Sequence, residues 1–169
     1  MTNKEELHWG FLSEEEILSS SDFIEKGFLI VDVESNDSLK KIRHTIVDLA
    51  SSYLGVFPDS DSEFLNDFHS AVNVSELNDV RLHLIRRLSA EPAFRQHYWT
   101  LVRSYLETLV GNELAMQLRI NLSIQLPCDD SSLLPVHSDV WSGDSPFEVV
   151  VWLPLVDCYG TKSMYILPP

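Results

Sequence analysis

Residues 117–126 read QLRINLSIQL, and their strict alternation decides the fold class. Leu118, Ile120, Leu122, Ile124 and Leu126 point one way and Arg119, Asn121, Ser123 and Gln125 the other, which is the two-residue period of a strand. One face suits a core, the other water or a polar cavity. Downstream, the turn-rich PCDDSSLLP (residues 127–135) leads through VHSDVWSGDSP to PFEVVVWLPLVD (146–157), which reads as a long, largely buried strand, and Ser163–Leu167 reads as a further short one.

Upstream of Gly111 the character is helical. Ser13 and a run of glutamates begin a short helix over residues 13–26 that ends near Gly27, and FLIVDV (28–33) then reads as a strand before the turn ESND. From Ser38, the spacing of Leu39, Ile42, Ile46, Leu49 and Tyr53 predicts an amphipathic helix stopped by Gly55. Residues 56–72, with Pro58 and several Asp and Ser, suit a surface loop with room for a short helix. A helix capped by Ser75 follows to Ser89, striped by Leu77, Val80, Leu84 and Leu88. Another starts at Pro92, runs along Phe94, Tyr98, Leu101, Tyr105 and Leu109, and stops at Gly111. These stripes are core positions, and His44, His69, His83 and His97 beside them are packed or surface histidines. Helices first and strands afterwards predict one α+β domain over 1–169, with a mainly helical part with one strand over 1–112 and the sheet part over 113–169.

With 169 residues, 44% of them hydrophobic, the chain is long enough to bury one sizeable core. Its formal net charge of -14 sets up a field that repels phosphate backbones and anionic membrane surfaces, so neither nucleic acid nor membrane is an expected partner. The acidic residues spread from Glu5 to Asp157 without a long block, as on a solvated surface, and name no substrate. Two cysteines, Cys128 and Cys158, do not make a disulfide framework, and reduced thiols are expected. The N-terminal MTNKEELHWG is polar and acidic where a secretory leader is basic and then apolar, and the apolar run Val149–Val156 is too short to span a bilayer. A cytoplasmic location is the expectation.

One constellation carries chemistry. His137 and Asp139, two residues apart on what reads as a strand end, project to the same face, where an imidazole nitrogen and a carboxylate oxygen can reach one ion. Joined by a second histidine, they would form the 2-His-1-carboxylate triad, which leaves positions on Fe(II) open for a cosubstrate and dioxygen. Composition alone supplies a His-x-Asp pair in roughly every second chain of this kind, so context decides its meaning. No G-x-S-x-G elbow is present to suggest serine chemistry.

The context is a resemblance. The segment LPVHSDVWSGDSPFEVVVWLPLVDCYGTKSMYILP (134–168) resembles the proximal half of the double-stranded β-helix of 2-oxoglutarate-dependent oxygenases, where the metal-binding His-x-Asp precedes a loop and a strand ending in W-x-P-L-x-D, here Trp152, Pro154, Leu155 and Asp157. IEKGFLIVDVESNDSLKKIRHTIVDLA (24–50) resembles the opening of the phytanoyl-CoA dioxygenase-like branch, and HSDVWSGDSPFE resembles bacterial oxygenases of sporadic carbohydrate biosynthesis clusters. The resemblance implies N-terminal helices packed on a jelly-roll, cupin-like β-helix that is incomplete here. It implies an Fe(II)/2-oxoglutarate dioxygenase that hydroxylates a small metabolite or carbohydrate-related intermediate, with dioxygen as co-reactant. On this resemblance His137 and Asp139 are the catalytic metal ligands, Asn121, Ser123 and Gln125 contact the cosubstrate, and Trp141 and Asp144 contact substrate; for Asp144 a turn-forming role stands beside that one.

The family continues into strands that supply a distal histidine and a basic residue for the far carboxylate of 2-oxoglutarate. No histidine follows His137, and Lys162 is the one basic residue after Arg119, so the expectation is a truncated chain, inactive alone, with an open sheet edge inviting self-association. Asp139 argues against halogenation, because the related halogenases have a small residue in place of the carboxylate. The rival expectation is a non-catalytic β-helix domain that binds a sugar or protein partner.

Overall fold

A computed structural model of the chain describes residues 10–167; the stretch MTNKEELHW, read above as unlike a secretory leader, lies outside them. Helix α1 (Glu14–Lys26) opens with a reciprocal cap in which the Ser13 hydroxyl accepts from the Glu16 N–H and the Glu16 carboxylate accepts from the Ser13 N–H. It closes on Gly27, whose φ of 78° is left-handed. Helix α2 (Asn36–Leu54) begins two residues before the expected Ser38, because the Ser35 hydroxyl accepts from the Ser38 N–H and acts as the cap. Gly55, at φ 70°, ends it as expected.

The region 56–72 holds a short helix α3 (Asp61–Asn66) and a 3-10 turn at Phe68–Ser70. Helix α4 (Val74–Ser89) starts after Asn73, which makes no side-chain cap bond, and so begins before the expected Ser75, and its stripe Leu77, Val80, Leu84 and Leu88 is buried throughout. The single helix expected from Pro92 to Leu109 is two helices, α5 (Pro92–Thr100) and α6 (Arg103–Val110). The cause lies at the junction: the Leu101 carbonyl accepts from the Glu34 N–H, and the Glu34 carboxylate takes the Ser104 N–H at the start of α6. Leu101 itself is 1% exposed.

Helix α2 is the centre, packed against α3, α4 and α5, while α1 lies on α6. One cluster joins Ile42, Ile46 and Val47 of α2 to Leu65, Leu88, Phe94 and Leu101; a second joins Ala50 to Val72, Leu77, Val80, Leu84 and Leu126. Two histidines are packed as expected, His97 with its Nδ1 3.3 Å from the Ser38 hydroxyl and His83 with its ring stacked on Tyr53 at 4.3 Å. His44 and His69 lie beside Asp61 and Asp67, largely exposed. No helix among the described residues is long and apolar enough to cross a membrane.

The strands are where the structure corrects the sequence. Among the described residues there is no strand, so the α+β class, the β-helix, the jelly-roll and cupin-like architecture and the open sheet edge are not present. Residues 28–33, 117–126, 146–157 and 163–167 run outside regular structure apart from turns and bends. The alternation itself holds: Ile120, Leu122, Ile124 and Leu126 are turned inward and Arg119, Asn121, Ser123 and Gln125 outward, although Leu118 is 78% exposed. What is missing is a ladder, which needs a neighbouring backbone at about 4.8 Å. The inward residues instead pack on the helices, Ile120, Leu122, Leu153, Leu155 and Val156 on the first cluster and Ile124 and Leu126 on or in the second.

Helix side chains bind the extended backbone. The Arg95 guanidinium donates to the Met116 carbonyl at 3.1 Å, Arg81 to the Ile124 carbonyl at 2.9 Å, and the Asn66 side-chain oxygen accepts from the Asp157 N–H at 3.0 Å. The Tyr98 hydroxyl donates to the Val151 carbonyl, and burial pushes its pKa up to about 12. A folded pKa raised above the unfolded value gives stability that is complete below about pH 10 and is lost as pH rises through about 12. Tyr98→Phe is therefore expected to lose about 1 kcal/mol at neutral pH and to remove the late-ionising phenol from the tyrosinate absorbance titration. A wild-type titration in which all phenols ionise together near the ordinary value would contradict this placement.

Candidate functional site

The His-x-Asp pair lies in the turn-rich half, between the extended runs. Pro135 precedes it, and a 3-10 turn begins at Asp139 and runs to Ser142, so the pair sits at a turn entry and not at a strand end. The two side chains nevertheless meet. His137 Nε2 lies 3.6 Å from Asp139 Oδ1, with side chains 43% and 51% exposed. The other ring nitrogen, Nδ1, is 2.7 Å from the Pro135 carbonyl oxygen. A carbonyl only accepts, so that bond places a proton on Nδ1, and Nε2 is the ring nitrogen that faces the carboxylate.

Two donor types that suit a metal ion therefore stand close together. Bonds from imidazole nitrogen and carboxylate oxygen to a first-row metal run about 2.0–2.2 Å, which puts two adjacent donors about 3 Å apart. The pair needs only a small closure to match, and a carbonyl on the far nitrogen is the usual outer support of a ligating histidine. Among the described residues no group of three His, Cys, Asp or Glu side chains surrounds a common point, so a third protein donor is not supplied by them.

The other site residues are dispersed. Asn121, Ser123 and Gln125 share the outward, exposed side of the run 117–126, and among the described residues their side chains make no hydrogen bond to His137 or Asp139. Trp141 is 75% exposed within the turn that Asp139 starts. The Asp144 N–H donates to the Asp139 carbonyl at 3.3 Å, and the Gly143 N–H to the Val140 carbonyl at 3.3 Å, backbone bonds that do not involve the Asp144 carboxylate. Cys128 and Cys158 are free and exposed.

Sequence reasoning missed Arg81. Its Nη2 donates both to the Ile124 carbonyl and to the Ser132 hydroxyl, at 2.9 and 2.8 Å, and so ties helix α4 to both sides of the reversal before Pro135. The available signal was its place on the helix, four residues after Leu77 and three before Leu84, at the margin of the buried stripe where a solvated arginine is not expected. A groove of about 260 Å³ between α1 and α6, lined by Glu15, Glu16, Glu34 and Tyr105, was also not foreseen. Compared with models of known families, with curated proteins and with solved structures, the chain shows no significant match.

Proposed function

We propose that this chain supplies the His137–Asp139 half of a non-haem Fe(II) centre of the 2-oxoglutarate-dependent oxygenase type, acting as a hydroxylase on a small metabolite or carbohydrate-related intermediate. The observation that supports it is the pair itself: Nε2 and Oδ1 stand 3.6 Å apart while Nδ1 is held by the Pro135 carbonyl. His137 offers an imidazole nitrogen and Asp139 a carboxylate oxygen, the donor chemistry suited to iron in this class. When bound, the metal would supply Lewis acidity and open positions for 2-oxoglutarate and dioxygen. The third donor comes from protein outside the described residues.

The remaining roles belong to this chain's own side chains. Asn121, Ser123 and Gln125 present amide and hydroxyl groups on one exposed edge, suited to hydrogen-bonding a dicarboxylate cosubstrate. Trp141 presents an exposed indole to a substrate, where its ring offers apolar area and its N–H one donor. Asp144 presents a carboxylate from the end of the same turn as a second substrate contact. Two free thiols accord with a cytoplasmic location.

Anaerobic titration of the chain with Fe(II), with and without 2-oxoglutarate, tests the reading. Wild type is expected to bind one Fe(II) weakly, tightened by 2-oxoglutarate, and His137→Ala and Asp139→Ala should each weaken binding by more than about tenfold, since even an outer support contributes that much. Far-ultraviolet circular dichroism should not change, because both side chains are half-exposed. Wild-type affinity in the Asp139 variant would sink the assignment.

A further inference from the structure

We propose that Arg81, on helix α4, is a positioning residue for His137: by locking the reversal between Ile124 and Ser132 it fixes the Pro135 carbonyl and, through it, which imidazole nitrogen faces the metal. Its consequence for binding rests on the metal-pair reading above; its consequence for the imidazole does not.

The lock is continuous. One Arg81 nitrogen, Nη2, spends both hydrogens, one on the Ile124 carbonyl and one on the Ser132 hydroxyl, closing the segment 124–132 onto the helix. Inside that span the Asp129 N–H donates to the Leu126 carbonyl at 3.3 Å and the Ser131 N–H to the Asp129 carboxylate at 3.0 Å, and just past it the Leu133 N–H donates back to the Asp130 carbonyl at 3.2 Å. Leu126 is buried in the second core cluster, which anchors the reversal from below. Cys128 takes φ 59°, a left-handed conformation that a non-glycine residue holds only where its surroundings impose it. The Ser131 hydrogen bonds, helped by Ser132 and the Arg81 charge, hold the Asp129 carboxyl below its ordinary range, so the acceptor stays ionised at neutral pH.

From Ser132 the constraint passes along a stiff stretch. The Leu133 amide is bonded back into the turn. Leu134 precedes a proline and is confined to extended backbone, and Pro135 has its φ locked by its ring. The next group along is the Pro135 carbonyl, which takes the His137 Nδ1 proton. Without the Arg81 fork this carbonyl is free to turn with the loop, and solvent then competes for Nδ1, so the imidazole returns to a mixture of tautomers in which Nε2 often carries the proton and must give it up before it ligates.

Long-range proton–nitrogen NMR of the full chain reads the tautomer directly, and titration with Co(II) alone reads the metal. Wild-type His137 is expected to be mainly protonated at Nδ1. Arg81→Ala should shift it toward the Nε2–H form and lower Co(II) affinity about tenfold, whereas Arg81→Lys, a single ammonium in place of the fork, should restore only part of either. Arg87→Ala, exposed on the same helix, should match wild type. An Arg81→Ala variant with the wild-type tautomer ratio would overturn the proposal. If that variant does not fold, Ser132→Ala, which removes one arm of the lock, carries the test: a shifted ratio supports the proposal and an unchanged ratio overturns it. A tautomer shift in a protein whose wild type binds no Co(II) supports the positioning and removes the iron reading alone.

Discussion

Leu101→Asp is expected to unfold the helical half or to lower its melting temperature by more than about 10 °C. Leu101 closes α5 with 1% of its surface exposed, in one cluster with Ile42, Ile46, Leu88 and Phe94. A carboxylate there meets apolar side chains on every side, and burying an unpaired charge costs several kcal/mol against a total stability of about 5–15 kcal/mol. The substitution also acts where the Glu34 N–H docks on the Leu101 carbonyl, so it loosens the α5–α6 corner. Glu107→Ala is the control. Its carboxylate pairs with Arg103 on an open face of α6, 2.8 Å away, where solvent screens the interaction, and its melt should stay at the wild-type value. Matching melts for the two variants would mean that the α5 stripe is misplaced.

The second large effect belongs to α4. Leu84 is 1% exposed in the second cluster, whereas Leu82, two residues away, is 39% exposed. Leu84→Ala removes three carbon atoms from a packed site and leaves a cavity, for about 2–5 kcal/mol, while Leu82→Ala should fall within about 0.5 kcal/mol of wild type. Urea titrations separate the two through their midpoints at unchanged slope. A larger midpoint shift for Leu82→Ala than for Leu84→Ala would rotate the helix away from the face described.

The same residues show how far sequence reading reaches. Stripes at three- and four-residue spacing identify α2 and α4 because a helix closes its own hydrogen bonds, so local pattern and local structure coincide. The break at Leu101 was invisible because its cause is Glu34, 67 positions away in sequence, which takes a carbonyl the helix would otherwise use. Alternation in 117–126 correctly assigns inward and outward residues, yet a strand exists only with a partner, and period-two spacing carries no information about who that is. His-x-Asp spacing brought His137 and Asp139 within 3.6 Å even though the assumed strand is a turn, because two residues apart suffices in either geometry. Arg81 escaped notice because its acceptors are 43 and 51 residues distant.

The extended half has a thermodynamic consequence. Among the described residues, many large apolar side chains stay exposed that a compact monomer of this size would cover. Heat capacity and denaturant sensitivity respond to surface newly uncovered on unfolding, not to surface already wet. Ile30, Leu118, Leu134, Phe147 and Val150, all more than half exposed, are hydrated in the folded chain and contribute little to either difference. The unfolding heat-capacity increment and urea slope of all 169 residues are therefore set mainly by the helices around α2, and resemble those of a much shorter protein.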